Sequence, residues 1–408
     1  MTQTLPAAKA TEFDVRVLAD DEIRAANAVF REALHQKPFD DEKWPTAARF
    51  YEPGRTYGTF AGGTMVGTTT SLTSSLTLPG GSSASMAAVT AVGVRTDHRR
   101  RGVLTGLMRR QLTDFAAAGE VFATLHASEP GIYGRFGYGL GTLSRIMRIR
   151  PGRTRLRPEV PTSGTVRLLS LEETLRLLPE AYARILPTRA GLMGRSTAWW
   201  SLGYERHDYL RVAAHYDRDG TIDGFLAYEP GSGADPLGGS VLVVLDFQAT
   251  DQLVTNDLWR FLLGVDLVEE ITLYVRPLDD PIEAMLDNYF YAARTEPDEE
   301  LWVRVIDVPA ALAARTYGLA ESVVIEIVDP LLPDNSGRYL VGQHGAERTD
   351  APAALTLGIE ALGMIYLGTW RPSALAAIGR IEGSDPMALA AADRLFATDR
   401  PSWCGTLF

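Results

Sequence analysis

The stretch Val92-Gly93-Val94-Arg95-Thr96-Asp97-His98-Arg99-Arg100-Arg101-Gly102-Val103-Leu104 holds the densest chemistry in the chain. It runs from the end of an apolar, β-rich segment, through a short basic loop, into the first turn of a predicted helix. At such a start several backbone N–H groups lack intrahelical partners, and the helix dipole adds positive potential. A diphosphate placed there would collect N–H hydrogen bonds, with the arginines as counter-charge. Gly102 would let the phosphates approach the backbone with no Cβ in the way. Two readings stay open on this pattern, a diphosphate cradle and a solvated basic loop. The Gly-Lys-Ser/Thr ending of a Walker loop is missing, and no Gly-x-Gly-x-x-Gly follows the strand.

Other residues could move protons. Leu125-His126-Ala127-Ser128-Glu129-Pro130-Gly131-Ile132-Tyr133-Gly134-Arg135-Phe136-Gly137-Tyr138-Gly139 places two tyrosines in a glycine-rich turn. A tyrosine's ordinary pKa of ~10 keeps its proton at neutral pH. His126, at a strand end, reads as a hydrogen-bonding scaffold. The last residues include Trp403, Leu407 and Phe408, too apolar for a frayed tail, so the C-terminus is expected to be tucked in. Cys404 has no activating neighbour and reads as a packing residue. The 6 histidines lack ligand spacing and Cys404 is the 1 thiol, so no metal is expected.

Regular elements must position these groups. A strand near Asp14–Val17 precedes a helix capped by Asp20 or Asp21 and running to about Ala33. Three β-rich runs follow, at Arg55–Ala61, Met65–Leu78 and Ala84–Val94, joined by Gly62-Gly63 and Pro79-Gly80-Gly81 as in an antiparallel meander. Val103, Leu104, Leu107, Met108, Gln111, Leu112 and Phe115 mark one helix face, and Val121–His126 is another strand. A second segment repeats this order: a strand at Val166–Leu169, a helix at Leu171–Ile185, three strands, a helix at Asp257–Leu267 and a strand at Ile271–Val275. Where its phosphate loop should fall, Ala249-Thr250-Asp251-Gln252-Leu253-Val254 carries an acid that would repel a diphosphate. A third segment has strands at Val323–Val328, Arg338–Val341 and Ala354–Gly358, then three helices. Pro/Gly/Arg-rich residues between Arg150 and Gly164, and Arg294–Asp298, read as joints. The fold class is α/β (α+β), in three units.

Composition bounds the rest. With 408 residues, about 2.7 domains are expected and no staples are needed. The 46% hydrophobic and 22% charged content is that of a globular protein, and no apolar run reaches the ~18 residues of a membrane span. The start lacks a secretory signal, so the cytoplasm is expected, with secretion by a signal-free route left open. A net charge of -11 argues against nucleic acid and favours a cationic partner.

Arg99-x-x-Gly102-x-Leu104 resembles the acetyl-CoA loop of GNAT N-acetyltransferases, with Leu104 in place of a final small residue. Together with the stretch from Leu125 to Gly139, Leu301-Trp302-Val303-Arg304-Val305, Val308-Pro309-Ala310-Ala311-Leu312, Tyr366-Leu367-Gly368 and the aromatic end at Phe408, it resembles the Eis family across nearly the whole chain. That resemblance implies tandem GNAT-like acetyltransferase domains followed by a sterol-carrier-protein-like domain. The expected divisions are residues 1–150 with the acetyl-CoA site, 151–296 without a CoA loop, and 297–408 supplying the terminal carboxylate.

It further implies a homohexamer that transfers acetyl from acetyl-CoA to amines of cationic, aminoglycoside-type molecules. Tyr133 maps to the general acid and the carboxylate of Phe408 to the base. Val92, Gly93 and Val94, the loop Arg99, Arg100, Arg101, Gly102, Val103 and Leu104, and also Ser128 and Glu129, map to the CoA side. The Val94 N–H is the expected oxyanion donor. Glu32, Trp44 and His126 map to the acceptor side. Leu407 departs from the family, which can carry an acid there. A lysine Nε-acetyltransferase and a non-enzymatic lipid carrier are the alternatives.

Overall fold

The computed structural model describes residues 13–231 and 240–408. The first twelve residues, read above as lacking a secretory signal, lie outside the described residues. In the first sheet, β1 (Asp14–Val17), β2 (Thr56–Ala61), β3 (Thr64–Thr77) and β4 (Ser83–Val94) form the expected antiparallel meander. Helices α1 (Ile23–Ala33) and α2 (Trp44–Ala48) lie between β1 and β2. Helix α3 (Val103–Ala117) links β4 to the parallel strand β5 (Phe122–Leu125), and β6 (Gly139–Leu140) ends this part of the chain.

The middle of the chain supplies β7 (Leu143–Ile149), β8 (Thr165–Leu169), α4 (Leu171–Ile185), α5 (Thr197–Glu205), β9 (Arg211–Tyr216), β10 (Ile222–Pro230) and β11 (Ser240–Ala249). It continues with α6 (Gln252–Leu263), β12 (Val268–Pro277), the single turns α7 (Ile282–Met285) and α8 (Tyr289–Ala292), and β13 (Ala293–Glu299). Ser170 starts α4 with a capping box: its hydroxyl accepts from the Glu173 N–H, and the Glu173 carboxylate accepts from the Ser170 N–H. Helix α6 begins at Gln252, earlier than the predicted Asp257, because the Asp251 carboxylate caps the N–H groups of Leu253 (2.8 Å) and Val254 (3.1 Å). Helix α5 was not predicted; Ser196 caps it by accepting from the Trp199 N–H at 3.1 Å.

Strand β14 (Trp302–Val305) and helix α9 (Val308–Ala314) lead into β15 (Val323–Val328), β16 (Gly337–Gly342), β17 (Gly345–Arg348) and β18 (Leu355–Gly358). Helices α10 (Ile359–Tyr366) and α11 (Pro372–Ala377), strand β19 (Ile381–Glu382) and α12 (Pro386–Phe396) complete a helix-backed, five-stranded sheet.

The chain crosses the divisions expected after residues 150 and 296. Strand β7 lies in the second sheet between β12 and β13, whereas β14 returns to the first, between β5 and β6. Both crossings bury ladder hydrogen bonds, so the units are stitched by backbone and not merely packed. The two faces of β4 and β5 alternate as a pleat requires. Ala87, Val89, Ala123 and Leu125 face α3, while Met86, Ala88 and Phe122 share one core with Ile325, Leu357 and Leu362 of the third sheet and its helices. Arg304 on β14 makes a fully buried double hydrogen bond to Asp329 (2.8 and 2.7 Å), just after β15.

The middle sheet holds a buried imidazole. His215 Nδ1 lies 2.5 Å from Asp223 and its Nε2 3.1 Å from Asp257, with no exposed surface. Burial alone would lower its pKa, but the two carboxylates outweigh that and raise it. The stability contributed by the charged ring is therefore full below the unfolded pKa of ~6.5 and lost as pH rises through the higher folded value. In thermal melts the gap between wild type and His215→Gln is expected to be widest near about pH 6 and to narrow toward about pH 9. A gap independent of pH would show that the folded ring does not titrate in that window.

Candidate active site

Strands β4 and β5 pair only at Met86–Ala88 with Phe122–Thr124. Beyond that β4 turns away through a bulge, in which Ala91 and Val92 oppose the single residue Thr69, with Ala91 at φ 48°. The Arg95 N–H donates to Val66 O at 2.9 Å, so Val94 and Gly67 form a pair without reciprocal hydrogen bonds. The Val94 N–H consequently points away from β3, toward the gap. Gly93 allows the strand to press on α1, since a Cβ there would lie 2.7 Å from the Phe30 Cα.

The basic loop opens on the same gap. Asp97 is bound by the His98 ring (2.9 Å) and by Arg95 (3.1 and 2.8 Å), and these partners hold its pKa down at about 2. Arg99 reaches across to Glu129 at 3.4 Å. Arg100 and Arg101 are exposed and have no ion pair among the described residues. Gly102 stands at the start of α3 with φ 94° and offers no side-chain cap, and nothing lies within 4 Å of the place its Cβ would take. The first-turn N–H groups of α3 thus have no side-chain cap among the described residues. Only the backbone of Val103 and Leu104 serves here, because their side chains pack inward with Leu107 and with Tyr133 respectively. Ser128 and Glu129 are exposed at the end of β5, facing Arg99 across the opening.

Tyr133 and Tyr138 separate cleanly. Tyr133 lies on a short helical turn, packed with Val89, Val92, Leu104 and Leu125. Burial, followed by the charge of Glu129, pushes its pKa up to about 12, and its hydroxyl has no hydrogen bond among the described residues. Tyr138 is fully enclosed, with an unpartnered hydroxyl, and its ring meets the edge of Tyr133 at 6.1 Å. Of the two hydroxyls, that of Tyr138 is the one sealed from solvent.

The C-terminus is tucked in, as its apolar residues suggested. Trp403, Cys404 and Thr406 are buried, and burial raises the pKa of the Cys404 thiol, which keeps it protonated. The Phe408 ring sits 4.8 Å from the His126 ring. His126, which maps to the acceptor side, has both ring nitrogens engaged by backbone. Its Nδ1 contacts Glu300 O (3.0 Å) and its Nε2 contacts Thr406 O (2.9 Å), so both nitrogens face backbone and Phe408 lies against the ring. Burial lowers its pKa despite those carbonyls, which makes it a tether for the tail.

Glu32 and Trp44 are not brought together. Glu32 is exposed near the end of α1, beside Phe30 and Ala33, which contact Gly93. Trp44 instead packs by Ile23 and Ala26 against Tyr51, with the Arg24 guanidinium 5.9 Å from its ring. No contact among the described residues joins Trp44 to Glu32, Tyr133 or the tail. Leu407 is 56% exposed.

Sequence reasoning missed four residues that surround the tail. The Arg195 side chain is wholly buried and paired with Asp246 (2.5 and 3.1 Å), Trp199 donates to Leu407 O at 2.9 Å, and Glu300 binds the Cys404 and Gly405 N–H groups. The signal was Gly194-Arg195-Ser196-Thr197-Ala198-Trp199-Trp200, a cap beside a tryptophan pair next to a lone arginine. In the second sheet the equivalent helix start, at α6, is filled by the chain's own Asp251. The third sheet borders a groove of about 900 Å³ whose lining mixes Leu319, Leu340 and Ala346 with Glu321, His344 and Arg394. No helix among the described residues is long and apolar enough to cross a membrane.

Comparisons agree with this geometry. The acetyltransferase (GNAT) domain is matched by residues 14–141 and again, by a second model, at 191–305, and the sterol carrier protein domain at 308–405. An uncharacterized N-acetyltransferase of Streptomyces coelicolor is 39% identical, over 83% of this chain and 84% of that protein. The N-acetyltransferase Eis of Mycobacterium tuberculosis is 31% identical, over 84% of this chain and 86% of its own. Among solved structures, Eis1 from Mycobacterium abscessus superposes with a TM-score of 0.87 at 36% identity, covering 97% of this chain and all 100% of that one.

Because the Tyr138 hydroxyl is buried without a partner, Tyr138→Phe is expected to leave stability unchanged or raise it by up to about 1 kcal/mol in chemical denaturation. A loss greater than that would reveal a partner for the hydroxyl.

Proposed function

The chain belongs to the Eis family of GNAT N-acetyltransferases, and from that membership we propose that it acetylates amines of aminoglycoside-type polyamines by direct transfer from acetyl-CoA. The reading is carried by one observation: the uncapped start of α3 and the free Val94 N–H open onto the same gap as Tyr133. The N–H groups of Val103 and Leu104, with Arg100 and Arg101, suit the diphosphate of CoA, and Ser128 and Glu129 suit its pantetheine side. In functional terms residues 1–150 hold acetyl-CoA, 151–296 wall the site, and 297–408 supply the terminal carboxylate. Asp251 keeps a second CoA out, so one acetyl-CoA per chain is expected.

The chemistry then follows from this chain's own groups. The Phe408 carboxylate attracts the acceptor ammonium and takes its proton, directly or through water. The free amine forms a new C–N bond at the thioester carbonyl as the C–S bond breaks. The Val94 N–H stabilises the oxygen on which negative charge builds. Tyr133 gives its proton to the departing thiolate and regains one, through water, from the nitrogen that loses its extra proton as the amide forms. With its pKa pushed up to about 12 by burial and Glu129, Tyr133 keeps that proton throughout the working range. The net charge of -11 and the exposed Glu32 favour a cationic acceptor. A homohexamer belongs to the same proposal, carried over from the family resemblance alone.

The test is thiol release from acetyl-CoA with a panel of aminoglycosides and a lysine peptide. Turnover on aminoglycosides is expected, with kcat at least about 100-fold lower in Tyr133→Phe and in a chain lacking Phe408. Calorimetry should count one acetyl-CoA per chain. Because Tyr133 stays protonated, no alkaline loss of kcat is expected below about pH 10. Preference for the lysine peptide would move the assignment to protein acetylation, and failure to bind acetyl-CoA would overturn the proposed site.

A further inference from the structure

Residues Cys404–Phe408 have no strand or helix partner, yet Cys404 and Thr406 are buried. Their backbone is satisfied by side chains. On one side the Glu300 carboxylate, in the crossover from β13 to β14, accepts the Cys404 N–H on Oε2 (3.0 Å) and the Gly405 N–H on Oε1 (2.7 Å). On the other side Arg195 donates to the Thr406 hydroxyl (3.0 and 2.9 Å) and to Gly405 O (3.3 Å). Gln248 adds a bond to Gly405 O at 3.0 Å, and Trp199 one to Leu407 O at 2.9 Å.

A carboxylate can only accept and a guanidinium can only donate. Placed against one turn of chain, in which Gly405 takes φ 61°, the carboxylate holds two successive N–H groups while the guanidinium holds the Gly405 carbonyl and the next residue's hydroxyl, so that together they define its direction and position. Each ion has its own anchor: Arg195 is paired with Asp246 and enclosed by Tyr182 and Trp199 at 4.1 Å each, and Glu300 accepts from the Thr142 hydroxyl at 2.8 Å. Burial pushes the Glu300 pKa up to about 7 against these donors. Apolar side chains would fill the same space without that penalty, but they could not read backbone polarity.

We propose that Glu300 and Arg195 are positioning residues, a two-sided ionic latch that fixes the register of the C-terminal segment and thereby holds Phe408 at the active site. The catalytic consequence rests on the reading that the Phe408 carboxylate handles the acceptor's proton; the latch itself does not.

Glu300→Gln isolates the effect. The amide keeps the size of the carboxylate, but it has one acceptor where two tail N–H groups need one each, so one N–H must face an NH2 group. Hydrogen–deuterium exchange at Gly405–Phe408 is expected to rise at least tenfold in the full-length variant, with exchange elsewhere unchanged. With acetyl-CoA and the best aminoglycoside acceptor, kcat should fall at least tenfold while the KM for acetyl-CoA stays within twofold, a split that general destabilisation would not give. Thr406→Val removes the hydroxyl on the Arg195 side without disturbing the buried carboxylate, and serves if Glu300→Gln folds poorly. The same exchange pattern is expected there. A tail that remains protected in both variants overturns the latch. A tail released with kcat unchanged, together with unchanged kcat on deleting Phe408, supports the latch and removes the terminal carboxylate from the mechanism.

Discussion

The parting of β4 from β5 after three paired residues is the constraint on which the site depends. A parallel pair that continued would use the Val94 N–H in a ladder and leave no gap for a thioester. The bulge at Ala91–Val92 bends β4 away while keeping it tied to β3, so the opening is made by a rigid sheet and not by a mobile loop. The start of α3, the arginine loop and Tyr133 then converge because each is attached to one of the two separated strands.

An opening in a sheet must be walled, and here three parts of the chain do it together. Strand β14, from beyond the middle sheet, fills the edge of β5, and the core beneath β4 and β5 is shared with the third sheet. The C-terminal residues enter from the remaining side. Buried backbone polar groups need partners, and with no strand to offer them the tail takes Glu300, Arg195, Gln248, Trp199 and His126. The candidate site thus lies at a junction, with Tyr133 on one unit and the terminal aromatic on another. In the middle sheet, Asp251 completes the α6 terminus internally.

The order of elements was legible in the residues. Alternation between glycine turns gave the meander, and one apolar stripe gave α3 nearly to the residue, because both are local consequences of burying one face. The arginine loop and the tyrosine-bearing turn were equally visible, since their chemistry lies within a few consecutive positions. The early start of α6 and the whole of α5 were obscured: a capping aspartate was read only as a repelling charge, and Trp199-Trp200 masks a helical period. Strand exchange was invisible, because β7 and β14 look the same whichever sheet they join.

The sequence by itself therefore determined the class of fold, a basic loop at a helix start and the existence of a tucked-in, aromatic C-terminus, all of which rest on local pattern and residue type. Only the tertiary structure set Tyr133 apart from Tyr138, by enclosing the Tyr138 hydroxyl completely. It alone showed both His126 nitrogens on backbone, placed Trp44 in a different cluster from Glu32, and brought Glu300 and Arg195 onto the tail. Those assignments depend on which groups compete for the same buried hydrogen bonds across long separations in the chain, and sequence pattern carries no record of that competition.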